Sequence, residues 1–516
     1  MLARRIYLAV LLALIAVTAG GAFCNGLFFI AQPYQLNYGE GLAAWQAAHV
    51  TDLARAYAPI YQYPFVVFQY PPLFHLVTRA VGGDLVIAGR SVSLLSAAIL
   101  CVIIGWNTFQ ALPRRANWPM RLFAAAFAGA LPAALYNFNW MWLARVDTLA
   151  ILLSFTGLAV FAARPNSAAT QTLASVLMVA ALFTRQTALA APLACLLIAV
   201  LIDRRIATRM LLTMSILGGL ALGWLAWRTH GQVFLHLFRY NQTAFSIPRA
   251  VFGLLMNTRH VAGLLVLAGG ASVGIMRGVW ALARNRRWDL LSANLRANGY
   301  RRRVFLLAVY SILAAFSALA FGKEGSDVNY FLEWNVALTP LAGILLFRAA
   351  PPPGHRVRLR PLWLAALTVP LLLLDTGFDQ ARSGWLRIFD GPRPADREQM
   401  DVYRKMLALV GGTSGPVFSE DMNLLYKTGK EIPAEPAMIQ CLAKAGMWDE
   451  RPFVRMIREQ RFALVVAMVN RETDDRFSRQ RYSPAMASAI EQAYEQTNVI
   501  ADYIIYRPRA EVLRSP

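Results

Sequence analysis

Lysine is almost missing from the first 376 residues of this chain. Four of its five lysines (Lys405, Lys427, Lys430 and Lys444) come later, and Lys323 alone comes before them. Charge of either sign is thin, at 16% of residues against about a quarter in soluble domains, which argues against an ordinary soluble protein. Cysteine is scarcer still. Cys24, Cys101 and Cys195 lie in apolar runs and Cys441 stands alone in the tail, so neither a disulfide framework nor a CxxC-type metal site can be built. Internal repeats are missing, and low complexity is limited to the short turn Pro351-Pro352-Pro353.

Apolar residues are what the chain has in excess, at 57%, with a mean hydropathy of +0.43. Runs such as Ile6–Ala22, Leu211–Trp227 and Val261–Ala283 have the length that carries a helix across about 30 Å of hydrocarbon. A net charge of +22 would suggest a nucleic-acid partner in a soluble protein, but its location excludes that reading. Residues 1–376 hold 31 of the 51 basic residues and 10 of the 29 acids, a net +21, whereas residues 377–516 net only +1. A basic excess confined to short loops between apolar runs reads topology in a bilayer. The stretch after Arg4 and Arg5 stays apolar to about Ile30, too long for a cleaved signal sequence, and predicts an uncleaved first span.

Six basic sites place the cytoplasmic loops: Arg4/Arg5, Arg114/Arg115/Arg121, Arg164, Arg204/Arg205/Arg209, the seven arginines from Arg284 to Arg303, and Arg348/Arg356/Arg358/Arg360. Each apolar stretch between them then crosses an even number of times. The outward loops fall at about 31–85, 137–146, 184–187, 229–259 and 322–330. The stretch 172–202 must turn at Thr184-Arg185-Gln186-Thr187 as two short helices, and a last span at 362–376 carries the chain outward. About eleven spans result, in a membrane domain over residues 1–376. Eight of its ten acids fall in or beside outward segments, and loops that long and polar are more often functional than connective.

Residues 377–516 read as a soluble α/β domain beyond the membrane. Val417–Ser419, Phe462–Val469 and Ile500–Tyr506 read as strands, and Met400–Val410, Ala437–Ala445, Pro452–Gln460 and Pro484–Gln496 as helices. Phe462–Ala467 is apolar on both faces, as a central strand should be.

Four outward motifs carry chemistry. In Asn37-Tyr38-Gly39-Glu40-Gly41, two glycines bracket one carboxylate, allowing a sharp turn and a close approach; alone it would read as a turn with a solvated Glu. Gln69-Tyr70-Pro71-Pro72-Leu73-Phe74-His75 reads first as a helix start with aromatics at the membrane interface. Trp142-Leu143-Ala144-Arg145-Val146-Asp147 puts two charges at the edge of hydrocarbon, where a structural ion pair is as good a reading as a site. The stretch from Gly322 to Glu333 gathers Lys323, Glu324, Asp327, Asn329, Tyr330 and Glu333 in one turn. Lys323 is its informative member, because a compact ammonium suits a phosphate as a point charge in a way that arginine's planar fork does not.

At these residues the sequence resembles the bacterial GT-C glycosyltransferases of the protein-mannosyltransferase-like kind. The resemblance rests on Tyr38-Gly39-Glu40-Gly41, Tyr70-Pro71-Pro72-Leu73, Arg145-Val146-Asp147, Thr184-Arg185-Gln186-Thr187 and Gly322 to Glu333. Two tail stretches add to it, Phe418-Ser419-Glu420-Asp421 and Gly446-Met447-Trp448-Asp449. Each is short; their order along one chain is the specific part. The resemblance implies a GT-C-like fold and an inverting transfer from a polyprenyl-phosphate sugar on the periplasmic face of a bacterial inner membrane. The family's first-loop acid matches Glu40, but glycines flank it and the adjacent acid pair of many relatives is absent. No residue is assigned to a metal; a divalent ion stays compatible with the reading, and no other cofactor is implied.

The expected mechanism makes Glu40 the general base for an acceptor hydroxyl in the cell envelope, with Asp147 as the second candidate. Lys323, with Arg145 or Arg185, neutralises the departing phosphate. Tyr70, Asn329, Tyr330 and Glu333 complete the expected substrate contacts. The alternative is a transporter or flippase of lipid-linked sugars, although transporters tend to show repeats and ionisable groups near the midplane.

Overall fold

A computed structural model of the protein describes residues 2–113, 118–348, 377–469 and 477–510. The expected last span at 362–376 lies outside them. Helices stand where the sequence places its first ten crossings. They are α1 (Leu2–Ile30), α4 (Leu85–Ala111), α5 (Trp118–Ala130, extended by a 3-10 turn to Ala134), α6 (Asp147–Ala163), α7 (Ala168–Leu182) and α8 (Ala190–Ile202). They continue with α9 (Arg204–Arg228), α10 (Ala262–Arg284), α11 (Gly299–Ala318) and α12 (Leu332–Arg348). Between the first two crossings lie α2 (Glu40–His49) and α3 (Leu73–Val81). Among the described residues, six helices are long and apolar enough to cross a membrane, and the chain is a multi-pass membrane protein. The stretch 172–202 does divide in two, with the break at Phe183–Leu189 between α7 and α8.

Local chemistry sets several of these ends. Asp84 caps α4 by accepting from the N–H groups of Val86 and Ile87, and Asp203 caps α9 through Arg205. Helix α13 (Gly377–Phe389) then runs along α1. Small residues permit that approach: a side chain on Gly384 would strike the Gly21 carbonyl, and one on Gly21 would strike Ala381 and Trp385.

The C-terminal part holds a four-stranded sheet in the order β1-β2-β4-β3, with β1 (Val417–Ser419), β2 (Leu464–Met468), β3 (Tyr494–Ile500) and β4 (Tyr503–Pro508). β1 and β2 are parallel; β4 runs antiparallel to both of its neighbours. Strand β2 is buried except at its last residue, as its two-sided apolar sequence requires. β3 occupies part of the span read from sequence as the end of a helix: the helix stops at Ala493. Its residues Glu495 to Val499 are exposed, so the strand has no inward face to give an alternating pattern, and the hairpin turns on Ala501-Asp502 without a glycine or asparagine.

This domain shares its cores with the first long loop. The extended segment Phe65-Val66-Val67 alternates sides, as a strand must. Phe65 and Val67 join Phe418, Trp448 and Phe453 in one core; Val66 joins Leu42, Met422 and Ile505 in another. Phe65 also bonds through its N–H to the Pro433 carbonyl at 2.8 Å, and the Trp448 indole donates to the Ile60 carbonyl at 3.1 Å.

Candidate functional site

Glu40 opens α2 just after Gly39, whose φ of 96° lies in the left-handed region that glycine adopts freely. Its carboxylate is fully buried. Arg90 of α4 donates to it twice, from Nε to Oε1 at 2.8 Å and from Nη2 to Oε2 at 2.7 Å. The N–H groups of Leu36 (2.7 Å), Asn37 (3.3 Å) and Ala144 (2.9 Å) donate as well. Arg90 spends its remaining donors on the carbonyls of Phe29, Gln32 and Tyr34. Burial alone would raise the Glu40 carboxyl, but the guanidinium and the backbone N–H groups hold it below the usual carboxylate range. Five donors leave this carboxylate no lone pair for a substrate proton, an arrangement that suits an anchor joining α1, α2, α4 and the Ala144 segment. Sequence reasoning passed over Arg90. Its signal was there: an arginine inside an apolar helix needs a buried partner.

The other expected residues converge a short way along the same segment. Asp147 is the first residue of α6 and is 1% exposed. It forms an ion pair with Arg185 at 2.8 Å and accepts from Asn329 Nδ2 at 3.0 Å on Oδ1. Among the described residues its Oδ2 accepts only the Trp140 indole, at 3.3 Å, so Asp147 is far less committed than Glu40. The Arg185 guanidinium also lies 5.0 Å from the Tyr330 ring centre. Glu333 sits within the electrostatic reach of Arg185 and accepts from the Tyr310 hydroxyl at 3.3 Å. Burial pushes the Tyr70 phenol up to about 12, with Arg145 working the other way. The Thr184–Thr187 turn is tied to this group, since Gln186 donates to the Gln69 carbonyl at 3.0 Å and Leu73 donates to the Phe183 carbonyl at 3.0 Å.

Arg145 is less engaged than Arg185. It donates to the Tyr38 carbonyl at 3.3 Å and lies near the Trp140 ring, and it pairs with no carboxylate among the described residues. A side chain on Gly39 would strike its Nη1, so the glycine serves this approach as well as the turn. Beside it lies a cavity of about 20 Å³ bordered by Gly39, Gln69, Tyr70, His75 and Arg145. That is room for about one water molecule. A second cavity, of about 600 Å³ between α1, α4 and α5, is lined by apolar groups such as Phe23, Val102 and Trp106 and offers nothing to an anion.

Lys323 stands apart. Its backbone belongs to a short antiparallel contact with Phe245, and its ammonium makes no hydrogen bond or ion pair among the described residues. Its neighbour Glu324 reaches the C-terminal domain, pairing with Lys444 at 2.9 Å. That domain enters the site from a second side. Glu435 accepts from Gln69 Nε2 at 3.1 Å, and burial raises its carboxyl against the pull of Arg481. The Arg481 guanidinium lies over the Tyr38 ring at 3.2 Å. Neither residue could be singled out from its own stretch of sequence, because what distinguishes it is a contact several hundred residues away. Among the described residues, no three His, Cys, Asp or Glu side chains come together in a way that could hold a metal ion.

No family model matches the sequence, and no curated protein matches it. Solved structures do. The crystal structure of ArnT from Cupriavidus metallidurans bound to undecaprenyl phosphate is similar over 98% of both chains, with a TM-score of 0.55 and 13% identity. The Archaeoglobus fulgidus oligosaccharyltransferase in its apo form is similar over 97% of this chain and 74% of its own, with a TM-score of 0.52 and 11% identity. Over nearly its whole length, the chain therefore has the GT-C fold.

Proposed function

We propose that the protein transfers a sugar, with inversion, from a polyprenyl-phosphate donor to an acceptor hydroxyl of the cell envelope. The observation that carries this reading is the Arg185–Asp147 ion pair gathered with Arg145 around Tyr70, at the end of the bundle covered by the α/β domain. A similar fold holding undecaprenyl phosphate supports the donor class. The positive-inside pattern supports a position for this end on the side of the membrane away from the cytoplasm, which in the proposed reading is the periplasmic side of a bacterial inner membrane.

In the proposed reaction the acceptor oxygen attacks the anomeric carbon, and the bond from that carbon to the phosphate oxygen breaks. The polyprenyl phosphate leaves with the bonding pair, and the acceptor proton passes to Asp147 through its lightly engaged Oδ2. Arg145 and Arg185 meet the charge that grows on the phosphate. Lys323, with its free ammonium on the 322–330 turn, attracts the donor at the rim. Asn329 and the ion pair with Arg185 orient Asp147; Tyr70, Tyr330 and Glu333 shape the surrounding wall. Glu40 fixes the loop on which all of this rests.

Detergent-purified protein supplied with a polyprenyl-phosphate sugar and an envelope extract as acceptor tests the reading. Release of polyprenyl phosphate without any membrane gradient supports it. A protein that moves lipid-linked sugar across vesicles yet never cleaves it is a flippase, and the proposal is then wrong.

A further inference from the structure

His75 is a polar group without a visible purpose. It lies in α3, 1% exposed, with its ring edge-on to Phe68 and Phe74 at 5.0 and 5.6 Å. Both ring nitrogens are buried, and the Ala43 carbonyl lies near the ring without reaching ordinary hydrogen-bond geometry. An imidazole buried with so little hydrogen bonding costs stability, and phenylalanine would fill the same aromatic niche without that cost. Yet His75 borders the small cavity beside Arg145.

We propose that this cavity takes one hydroxyl group of the transferred sugar, and that His75 accepts its hydrogen bond and so sets sugar specificity. The inference rests on the proposed donor. Three observations shape it. A volume of about 20 Å³ has room for one hydroxyl group. The cavity shares Arg145 with the proposed phosphate site, and the sugar is bonded directly to that phosphate, so its hydroxyls arrive within reach, whereas an acceptor must approach from the far side of the anomeric carbon. Burial, helped by Arg145 and opposed by the Ala43 carbonyl, also pushes the imidazole down to about 3. The ring is therefore neutral at physiological pH: one of its nitrogens is able to accept a hydrogen bond, and the ring does not compete for the phosphate.

The test is equilibrium binding in detergent without acceptor. The probes are polyprenyl phosphate, its gluco-, galacto- and manno-hexosyl forms, and the monodeoxy analogues of the form that binds most tightly. The wild type should prefer the full hexose over one monodeoxy analogue by roughly tenfold to a hundredfold. His75→Phe should erase that preference, keep polyprenyl phosphate binding unchanged, and melt no lower than the wild type. His75→Gln, which keeps an acceptor, should retain part of the preference. No affinity for polyprenyl phosphate at all sinks the donor reading itself. Binding of the phosphate with no preference among deoxy analogues overturns the inference alone. So does a His75→Phe protein that keeps the preference, or one that loses phosphate binding together with it.

Discussion

Glu40 and Arg90 share two hydrogen bonds, and the backbone groups around the pair take up all the capacity that remains on either side chain. Both side chains have zero exposure, the carboxylate accepts five donors, and the guanidinium uses every N–H it has. The pair ties the end of α1 to α2, α4 and the Ala144 segment that leads into Asp147. Replacing one partner leaves the other charged and alone in a dry site. Glu40→Gln and Arg90→Met should therefore each cost about 3–5 kcal/mol of stability, and the double variant should recover part of that. Thermal unfolding in detergent measures it. A Glu40→Gln protein that melts like the wild type but turns over poorly would restore Glu40 as the base.

Asp147→Asn preserves the shape of the site and removes the proton acceptor. Turnover should fall about a hundredfold or more, with donor affinity little changed. Arg145→Ala should do the reverse in part, weakening donor binding while leaving the melting temperature near that of the wild type, because Arg145 pairs with no carboxylate among the described residues. Steady-state kinetics and donor titration separate the two. Loss of affinity in Asp147→Asn with unchanged turnover would reverse the assignment.

Acid should affect the junction between the two parts of the chain. Asp421 is fully buried, and burial pushes its carboxyl up to about 6, although Tyr503 and the Asn423 N–H stabilise its ionised form. A group raised in the folded state contributes most below its unfolded pKa and loses that contribution as pH rises through the folded value. Between about pH 4 and 6 Asp421 therefore gives up about 3 kcal/mol. The Asp421→Asn variant should gain on the wild type by about that amount when melting at pH 7 is compared with melting at pH 4. An equal difference at both pH values would show that Asp421 does not titrate in this range.

The sequence made the convergence of motifs legible, because polar groups at the ends of apolar helices are costly and few. Arg145, Asp147, Arg185, Asn329, Tyr330 and Glu333 all stood out in that way, and the structure brings them together with Tyr70. How each carboxylate is used was not legible. Glu40 and Asp147 look alike in sequence, and only the count of donors around each separates an anchor from a candidate base. Gly41 shows the same limit. Its sequence context suggested room for a substrate, whereas the space against it is filled by the backbone of Met422 and Asn423. Strand β3 and the Glu435 contact depend on pairings that no local pattern encodes.

Orientation gives an independent check. The proposed orientation, with a cytoplasmic N-terminus and an odd number of crossings, requires the α/β domain to lie outside. A reporter active only beyond the membrane, fused after Pro516, should report activity. A reporter active only in the cytoplasm, giving signal at the same position, would put the Arg145–Asp147 site on the wrong side for the proposed donor.

The most direct measurement is donor choice by purified protein. The loops that the basic residues assign to the cytoplasm have no phosphate-cradling glycine turn in their sequence and only Asp203 and Asp289 as acids, so a nucleotide sugar has no evident place to bind there. Wild-type protein is supplied in parallel with a polyprenyl-phosphate sugar and with a nucleotide sugar, and transfer is counted. The account predicts transfer from the lipid donor alone, strongly weakened in Arg145→Ala and Lys323→Ala and only partly restored in Lys323→Arg. Transfer from the nucleotide sugar alone would contradict it, as would normal use of the lipid donor by Arg145→Ala.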